Sequence, residues 1–376
     1  MRLNSSIPNI LVLPHVAVSG GAGIYIRSAI KALSRYANVT LIGEAGPAYP
    51  EEDAAIRHSS LPARPVLPAY EGASAASFLV NAFLAAPRAW RLFCWLSRRK
   101  SELATYDAIV VTSSIDLLTL MIAKRVIPSL TGICFVQENA FLTGLRGRIN
   151  RKLLREPQVN VSISHSWSAN AGKYNIQSLV VANTFDNIEI EPTPDTQSHY
   201  DFVYVGGGAR NKGFSHFLAV IEHISKDRSI KASLLGHLSG PQKARADAAG
   251  HKLELIGSQL DCPGFVSDVS HYLRDARVLL LPITEPHFCR PAIEAGLCER
   301  TFIVSKLSQL EDFATANYNC VMVDRGDVIM WSEACLRLLT DDALRHKLAR
   351  SNLKFAKRDF SSSAFDEGMR KIIAAC

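Results

Sequence analysis

The sequence predicts an α/β protein with two Rossmann-like domains, each built on a parallel sheet. Short, continuously apolar segments of strand length alternate with helix-length segments along the chain, as in parallel sheets covered by helices on both faces. The 376 residues suit two domains if a domain takes about 150 residues. A polar segment with two prolines, residues 190–199, separates two sets of strands and is typical of a linker.

These observations set the expected boundaries. We expect an N-terminal domain over residues 1–189, a linker over 190–200, a C-terminal domain over 201–363 and a terminal helix over 364–376. That helix can cross back to the first domain.

The expected strands are read from the apolar runs in chain order. Those of the first domain are Asn9–Leu13, Val39–Ile42, Ala108–Val111, Gly132–Val136, Val159–Ile163 and Leu179–Val181. Those of the second are Phe202–Val205, Lys231–Leu235, Leu253–Ile256, Val278–Leu281, Phe302–Val304 and Val321–Val323.

Composition excludes several classes of protein. Hydrophobic residues make up 48% and charged residues 20% of the chain, which argues against disorder. The eight cysteines are scattered without a C-x-x-C pair, which argues against a zinc module or a secreted disulfide scaffold. No apolar run approaches the roughly 18 residues of a spanning helix. We therefore expect a cytoplasmic protein that can bind peripherally to the inner face of the cytoplasmic membrane.

Two glycine clusters follow predicted strands. Gly20 and Gly21 lie between the first strand and a helix, where free backbone N–H groups can bind an anion. A tight turn without a ligand is an equal alternative there. Gly207 lies in a run of three glycines that is followed by Arg210 and Lys212. Close backbone approach combined with fixed positive charge suits a diphosphate, although both cations could simply be solvated in a loop.

A third group of polar residues follows the apolar strand at 278–281. Pro291 suits the first turn of a helix, so Glu294 is expected near a helix N-terminus, where a carboxylate can accept hydrogen bonds from sugar hydroxyls. Glu285 lies in the preceding loop, and the backbone N–H groups of His287, Phe288 and Cys289 can face a phosphate. The alternatives are simple pairing with the helix dipole for Glu294 and a solvated loop charge for Glu285.

Together these motifs resemble the retaining glycosyltransferases of family 4. This resemblance implies the GT-B fold, in which two Rossmann-like domains have parallel sheets facing across a cleft. The resembling segments are residues 20–23, 180–186, 205–214 and 285–294. The resemblance implies a nucleotide-diphospho-sugar donor held by the second domain and an acceptor bound by the first. It also implies that no metal ion or cofactor is needed, and that the departing phosphate helps to deprotonate the acceptor.

The resemblance further implies roles for individual residues. Lys212 would hold the diphosphate, Glu294 the ribose and Glu285 the donor sugar. The whole donor site would comprise Gly20, Gly21, Gly207, Arg210, Lys212, Glu285, Phe288, Cys289 and Glu294.

The chain departs from the family pattern at three places. The family's arginine falls at Gly207, and Arg210 is the candidate replacement. The two glutamates are nine residues apart rather than eight, which favours one inserted residue over the loss of the first glutamate at Pro286. A family histidine corresponds to Gln137, so any proton acceptor there would be Glu138, which we include with Glu285 and Lys212 as catalytic candidates. His15 either faces the cleft or is a satisfied structural histidine.

The excess of positive over negative charge lies entirely in the first half of the chain. The net charge is +7, and residues 1–190 hold 19 Lys and Arg against 12 Asp and Glu, which accounts for the whole excess. On a helix over 88–100, the cations would share one side and Ala89, Leu92, Phe93 and Leu96 another; the cations are Arg88, Arg91, Arg98 and Arg99. A second acid-free run contains Arg146, Arg148, Arg151, Lys152 and Arg155. No recognised nucleic-acid module is present, so we expect no nucleic-acid partner; an anionic membrane surface is expected instead, with an ordinary solvated surface helix as the alternative.

The predicted function is sugar transfer to a glycan or lipid-linked acceptor, in bacterial surface polysaccharide or glycolipid synthesis. Transfer to a small soluble acceptor, a non-catalytic protein that binds nucleotide sugars, and a sugar-nucleotide epimerase remain as alternatives.

Overall fold

The chain forms two compact units in its computed structural model. The structure describes residues 7–13, 21–42, 62, 64–65, 75–136, 143–185, 198–285, 287–307 and 310–375. Unit 1 comprises Met1–Thr184 and Ser362–Cys376, and unit 2 comprises Phe185–Ser361. Among the described residues, no helix has both the length and the apolar character needed to cross a membrane.

Unit 1 is built on a parallel sheet of six strands in the order β2-β1-β3-β4-β5-β6. Its strands are β1 Asn9–Leu13, β2 Asn38–Leu41, β3 Ala108–Val111, β4 Thr131–Val136, β5 Val159–Ser162 and β6 Leu179–Val180. Its helices are α1 Gly21–Leu33, α2 Ala75–Arg98, α3 Lys100–Leu103, α4 Leu117–Val126, α5 Gly144–Leu153, α6 His165–Gly172 and, from the C-terminus, α13 Ser362–Ile373.

Both faces of this sheet are covered at its central strands, which is why β1, β3 and β4 contain runs of buried apolar residues. Along β1, Leu11 and Leu13 belong to one core cluster, whereas Ile10 and Val12 belong to the cluster on the opposite face. Successive side chains of a strand point to opposite faces, so a strand covered on both faces has no polar positions.

The C-terminal helix α13 packs within unit 1, as the sequence analysis allowed. Phe365, in the core with Met369 and Ile372, makes an edge-to-face contact with Tyr25 of α1 at 5.9 Å between ring centroids. Asp366 accepts a hydrogen bond from Arg35 at 2.6 Å. The last segment of the chain therefore completes the core of the first unit.

Unit 2 is built on a second six-stranded parallel sheet, in the order β12-β11-β10-β7-β8-β9. Its strands are β7 Tyr200–Val205, β8 Lys231–Leu235, β9 Gln259–Gly264, β10 Ala276–Leu281, β11 Thr301–Ser305 and β12 Cys320–Val323. Its helices are α7 Phe214–Ile224, α8 Gly240–Glu254, α9 Val269–Arg274, α10 Arg290–Leu297, α11 Val328–Thr340 and α12 Asp342–Asp359. The predicted architecture of two parallel α/β sheets is confirmed.

One predicted strand of unit 2 is wrong. Leu253 and Glu254, the start of the strand expected at 253–256, lie at the end of helix α8, where Leu253 is buried together with Ala246 and Ala249. The strand at this position in the fold is β9, which pairs only with β8 and whose residues are mostly half-exposed. An edge strand that is partly solvated carries no apolar run, so the apolar end of the preceding helix was mistaken for it.

Helix α2 is longer than the sequence predicts and uses its apolar residues differently. It begins at Ala75 and continues through Pro87, which is exposed. Leu92 and Leu96 are buried, as expected for the core-facing side, whereas Phe93 is 41% exposed. Phe93 therefore does not belong to the buried side of the helix that Leu92 and Leu96 form.

Candidate functional site

The candidate site of unit 2 lies where strands β7, β8 and β10 end. The carboxyl ends of parallel strands meet at one edge of a sheet, and this edge is where open α/β sheets bind ligands. The connections that leave it here are the glycine run after β7, the turn after β8 and the loop from β10 to α10.

The glycine run after β7 is hydrogen-bonded to the end of β8 and the turn that follows it. The backbone N–H of Gly207 donates to the carbonyl of Leu235 at 2.8 Å, and that of Gly208 donates to the carbonyl of His237 at 2.9 Å. The buried Tyr204 hydroxyl donates to the carbonyl of Gly207 at 3.0 Å. The run is thus held as part of the sheet edge rather than as a loose loop.

Position 207 has no room for a side chain. Gly207 has a φ of +53°, and a Cβ there would overlap the backbone carbonyl oxygen of His237. An arginine at this position, as in the resembled family, would require the turn after β8 to move. In this chain, the backbone of the turn after β8 therefore excludes the family's arginine from position 207.

A second set of contacts ties the β7 connection to the loop after β10. The backbone N–H of Thr284 donates to the carbonyl of Asn211 at 2.9 Å, and the Thr284 hydroxyl donates to that of Arg210 at 3.3 Å. Gly213, with a φ of +81°, lies so close to Pro282 that a Cβ would overlap its carbonyl oxygen. These contacts bring residues far apart in the sequence to one place.

Lys212 and His287 meet between these two loops. The Lys212 Nζ lies 2.5 Å from Nε2 of His287. On the other side of the ring, His287 Nδ1 lies 2.8 Å from the backbone carbonyl oxygen of Glu285. A carbonyl only accepts and an ammonium only donates, so Nδ1 carries the ring hydrogen and Nε2 accepts from Lys212.

The electrostatics of this pair agree with a neutral ring beside a charged lysine. Burial, followed by repulsion from Lys212, lowers the pKa of His287 to about 4. Burial also lowers the pKa of Lys212, while the neighbouring Cys289 acts in the opposite direction. At neutral pH the imidazole is therefore uncharged and serves as an acceptor.

The other predicted donor-site residues of unit 2 surround this pair to different degrees. Glu285 supplies its backbone carbonyl to His287, and its side chain is exposed. Arg210 is also exposed and contributes its carbonyl to the loop contact with Thr284. Phe288 packs against Phe313 and Phe360, and Cys289 is buried at the N-cap of α10.

Glu294 is placed differently from the open carboxylate that the sequence suggests. It is 8% exposed, and its Oε1 accepts a hydrogen bond from Arg290 Nε at 2.7 Å. The Arg290 guanidinium also lies over the ring of Phe185, 4.3 Å from its centroid. Any hydroxyl that binds Glu294 must therefore share the carboxylate with Arg290.

The remaining predicted residues lie in unit 1 or outside the described part of the chain. Gly21 is the first residue of helix α1. Four predicted residues lie outside the described residues; they are His15, Gly20, Gln137 and Glu138. The described residues therefore bring together the second-unit half of the predicted donor site.

Helix α2 carries an exposed apolar stripe beside its cations. At 100° per residue, Leu79, Phe83, Trp90 and Phe93 fall within about 80° of arc. Phe83 is 84% and Trp90 67% exposed, and the rings of Trp90 and Phe93 stack at 6.0 Å. Arg91 and Arg98 are exposed on an adjoining arc of the helix, and Arg99, just beyond its end, is exposed as well. Arg88 is half-buried and donates to Oδ1 of Asn81 at 3.4 Å.

The second basic run lies next to α2. The guanidinium of Arg146, in α5, lies over the ring of Phe78 of α2, 5.3 Å from its centroid. Beside it is a cavity of about 540 Å³, lined by Thr143, Gly144, Leu145, Arg148, Arg151 and Tyr174. The second acid-free run thus contacts the N-terminal part of α2. We call the exposed residues of α2 and α5 together the α2–α5 surface.

Two residues of the site were not anticipated from the sequence in the roles they take. No sequence pattern indicated a role for the side chain of His287, because its partner Lys212 is 75 residues away. The pairing of Arg290 with Glu294 did carry a signal, since residues four apart on a helix face each other.

Comparison with known proteins gives a family match for unit 2 and the fold for the chain. Residues 187–355 match the family described as glycosyl transferases group 1. An uncharacterized glycosyltransferase of Methanocaldococcus jannaschii is 23% identical over 180 residues, which are 47% of this chain and 48% of that protein. The chain thus spans about half the length of the curated relative it matches.

Solved structures match over nearly the whole chain. HepE of Anabaena in complex with UDP-glucose has a TM-score of 0.74 at 15% identity, covering 98% of this chain and 100% of its own. The sucrose-phosphate synthase of Thermosynechococcus elongatus has a TM-score of 0.73 at 17% identity, with the same coverage. The lipopolysaccharide outer core galactosyltransferase WaaB has a TM-score of 0.67 at 14% identity, covering 98% and 99%. The fold of this chain is therefore the GT-B fold.

Proposed function

We propose that this chain, whose second unit matches the group 1 glycosyltransferases, is a retaining glycosyltransferase that uses a nucleotide-diphospho-sugar. The observation that carries the proposal is the position of Lys212 at the carboxyl end of the unit 2 sheet, between the glycine run and the N-terminus of α10. HepE, with which the chain shares its fold, binds UDP-glucose. The assignment as a glycosyltransferase rests on the family match. The proposed class of donor rests on the geometry of this site.

The proposed reaction breaks one bond and forms another at the anomeric carbon of the donor sugar. The bond between the sugar's anomeric carbon and the diphosphate oxygen breaks, and a bond to the acceptor oxygen forms on the same face. The acceptor's proton passes to the departing phosphate, and the electron pair of the broken bond stays on the diphosphate. Lys212 and the backbone N–H groups near it would stabilise that charge where it develops.

Donor binding can be tested without knowing the acceptor. We expect a UDP-, GDP- or ADP-sugar to raise the melting temperature of the wild type, because a ligand that binds only the folded state stabilises it. Lys212→Met should abolish the rise while the unliganded protein melts as before. Lys243→Met, an exposed lysine of α8, is the matched control and should keep the rise. An unchanged response in Lys212→Met would contradict the assignment of the site.

Glu294 and Glu285 require different variants because their surroundings differ. Glu294→Gln keeps the volume and one acceptor for Arg290, so we expect a folded protein with weaker nucleoside binding. Glu285→Gln changes an exposed side chain, so we expect normal stability and impaired transfer. Normal transfer by both variants would remove these carboxylates from the proposed mechanism.

Retention and independence from metal ions and cofactors are further parts of the proposal. With a donor of α configuration, proton NMR of the product should show an α linkage. Activity of the purified chain without any added cofactor should survive EDTA. A β-linked product would contradict retention, and a loss of activity that Mg²⁺ or Mn²⁺ restores would contradict metal independence.

For the acceptor, we propose a lipid-linked glycan reached at an anionic bilayer, with the chain on the cytoplasmic side. The α2–α5 surface supports this, because exposed aromatic side chains beside arginines suit the boundary between lipid headgroups and acyl chains. The match to WaaB, a lipopolysaccharide outer core galactosyltransferase, agrees with a role in surface glycan synthesis. No nucleic acid is proposed as a partner.

Vesicle flotation tests the membrane proposal. We expect binding to vesicles of equimolar phosphatidylglycerol and phosphatidylcholine, weakened by salt, and none to phosphatidylcholine alone. Each arginine near an anionic surface contributes about 1 kcal/mol, so Arg91→Gln with Arg98→Gln should weaken binding about thirtyfold.

Two controls make the flotation result specific to α2. Arg337→Gln with Arg350→Gln removes two exposed arginines from unit 2 and should leave binding unchanged. Trp90→Ser should weaken binding, whereas Leu255→Ser, at an 87% exposed leucine of unit 2, should not. Equal effects of test and control variants would leave only non-specific charge attraction and refute the docking surface.

Transfer assays, together with the melting and flotation experiments, also separate the alternative functions. Transfer to a small soluble acceptor would proceed without vesicles. A non-catalytic sugar-nucleotide binder would show the melting response without turnover, and the pairing of Glu294 with Arg290 is the observation that favours it. Conversion of the donor sugar without any acceptor would indicate an epimerase.

A further inference from the structure

The Lys212 ammonium is held by a neutral side chain rather than by a carboxylate. Its partner is Nε2 of His287, 2.5 Å away, in a setting where burial disfavours the charge of the lysine. A carboxylate partner would cancel the positive charge and compete with an incoming phosphate. A neutral acceptor orients the ammonium and leaves its charge available.

The backbone of the same loop fixes which ring nitrogen faces Lys212. The carbonyl of Glu285 can only accept, so the hydrogen of the neutral ring resides on Nδ1, 2.8 Å away. The lone pair of Nε2 then points to the ammonium. If the ring hydrogen moved to Nε2, both contacts would be lost together.

We propose that His287 is a positioning residue, which holds the Lys212 ammonium in place for the phosphate groups of a nucleoside diphosphate and is itself oriented by the Glu285 carbonyl. The nature of the ligand rests on the proposed function. The contact between the two side chains does not, and it can be tested separately.

Nitrogen NMR of histidine tests the contact itself. In the ¹⁵N-histidine-labelled protein, the His287 signals are those that disappear in His287→Gln. We expect a ring protonated at Nδ1 and unprotonated at Nε2 from pH 8 down to about pH 5, since its pKa is about 4. Lys212→Met removes the positive neighbour and should raise this pKa. An ordinary His287 pKa near 6.5 in the wild type, or the opposite tautomer, would overturn the proposal.

Binding measurements test the positioning role. The probes are UDP, GDP, ADP and inorganic pyrophosphate, titrated by calorimetry. His287→Leu removes the acceptor and should weaken the best-bound nucleoside diphosphate about tenfold, the order expected for one hydrogen bond to a charged group. His287→Gln, whose amide oxygen can accept from Lys212, should restore most of the affinity. His251→Gln, at an exposed histidine of α8, is the control.

A double variant separates positioning from a general structural effect. In the Lys212→Met background, His287→Leu should weaken binding no further, because the group that it positions is gone. An equal loss in both backgrounds, or equally weak binding by the Gln and Leu variants, would refute the proposal. If none of the four probes binds the wild type, the proposed function fails, and the NMR titration alone decides whether the histidine holds the lysine.

Discussion

Replacement of Gly213 by alanine would test whether the two loops of the candidate site are held together by direct backbone packing. Gly213 has a φ of +81° and lies between Lys212 and the first turn of α7. A Cβ at this position would overlap the carbonyl oxygen of Pro282, at the end of β10. The substitution therefore combines backbone strain with a steric conflict between two fixed parts of the main chain.

The two contributions can be separated by a second glycine. A non-glycine residue in the left-handed region costs about 1–2 kcal/mol, and overpacking adds about 1–3 kcal/mol. Gly326 has nearly the same φ, +84°, with nothing within 4 Å of the position of a Cβ. Gly326→Ala should therefore cost about 1–2 kcal/mol, and Gly213→Ala about 2–5 kcal/mol.

Urea denaturation of both variants would measure the difference. Trp331 is the one tryptophan of the sequence that falls in unit 2, and it is fully buried, so ¹⁹F NMR of fluorotryptophan-labelled protein follows that unit specifically. We also expect Gly213→Ala to weaken nucleoside diphosphate binding, since the conflict separates Lys212 from His287, and Gly326→Ala to leave binding unchanged. Equal destabilisation by the two substitutions would show that Pro282 yields without cost and would refute the reasoning.

Two further predictions concern buried polar groups outside the site. Tyr25→Phe removes a buried hydrogen bond, in which the hydroxyl donates to the carbonyl of Val181 at 2.9 Å, and should lower the free energy of unfolding by about 1 kcal/mol. Burial raises the pKa of Tyr25, so absorbance titration should show that the number of phenols that ionise only after unfolding is one greater in the wild type than in the variant. Arg300→Met removes the donor to four backbone carbonyls and should cost roughly 3–5 kcal/mol in urea denaturation; a loss below about 1 kcal/mol would mean that water replaces the guanidinium.

The sheet architecture could be predicted because strands that are buried on both faces appear in the sequence as short runs of apolar residues. Central strands such as β1 and β10 are covered on both faces, so each contains an uninterrupted run of four buried apolar residues, Ile10–Leu13 and Val278–Leu281. The edge strand β9 has only one neighbouring strand and retains polar residues. It was missed for the same physical reason that made the central strands visible.

The site could be predicted only in part, because its decisive contacts are tertiary. The glycine run with Lys212 forms a local pattern that indicates an anion site. The partner of Lys212 depends on how the connection after β7 packs against the loop after β10, which is set by contacts such as Thr284 with Asn211. No local pattern around His287 reports that packing. The roles assigned from the resemblance to Lys212, Glu285 and Glu294 stay predictions.

The uneven charge of the chain gains a physical meaning once burial is considered. The two halves differ in net charge, but they also differ in what their arginines do. In unit 2, Arg300 and Arg345 are 4% exposed and donate to backbone carbonyls, so they contribute little to the field outside the protein. On α2 of unit 1, Arg91 and Arg98 are exposed beside an apolar stripe. Two arginines of unit 2 are therefore hidden from an anionic partner, whereas the two arginines of α2 can be reached by one, which adds to the difference in net charge between the units.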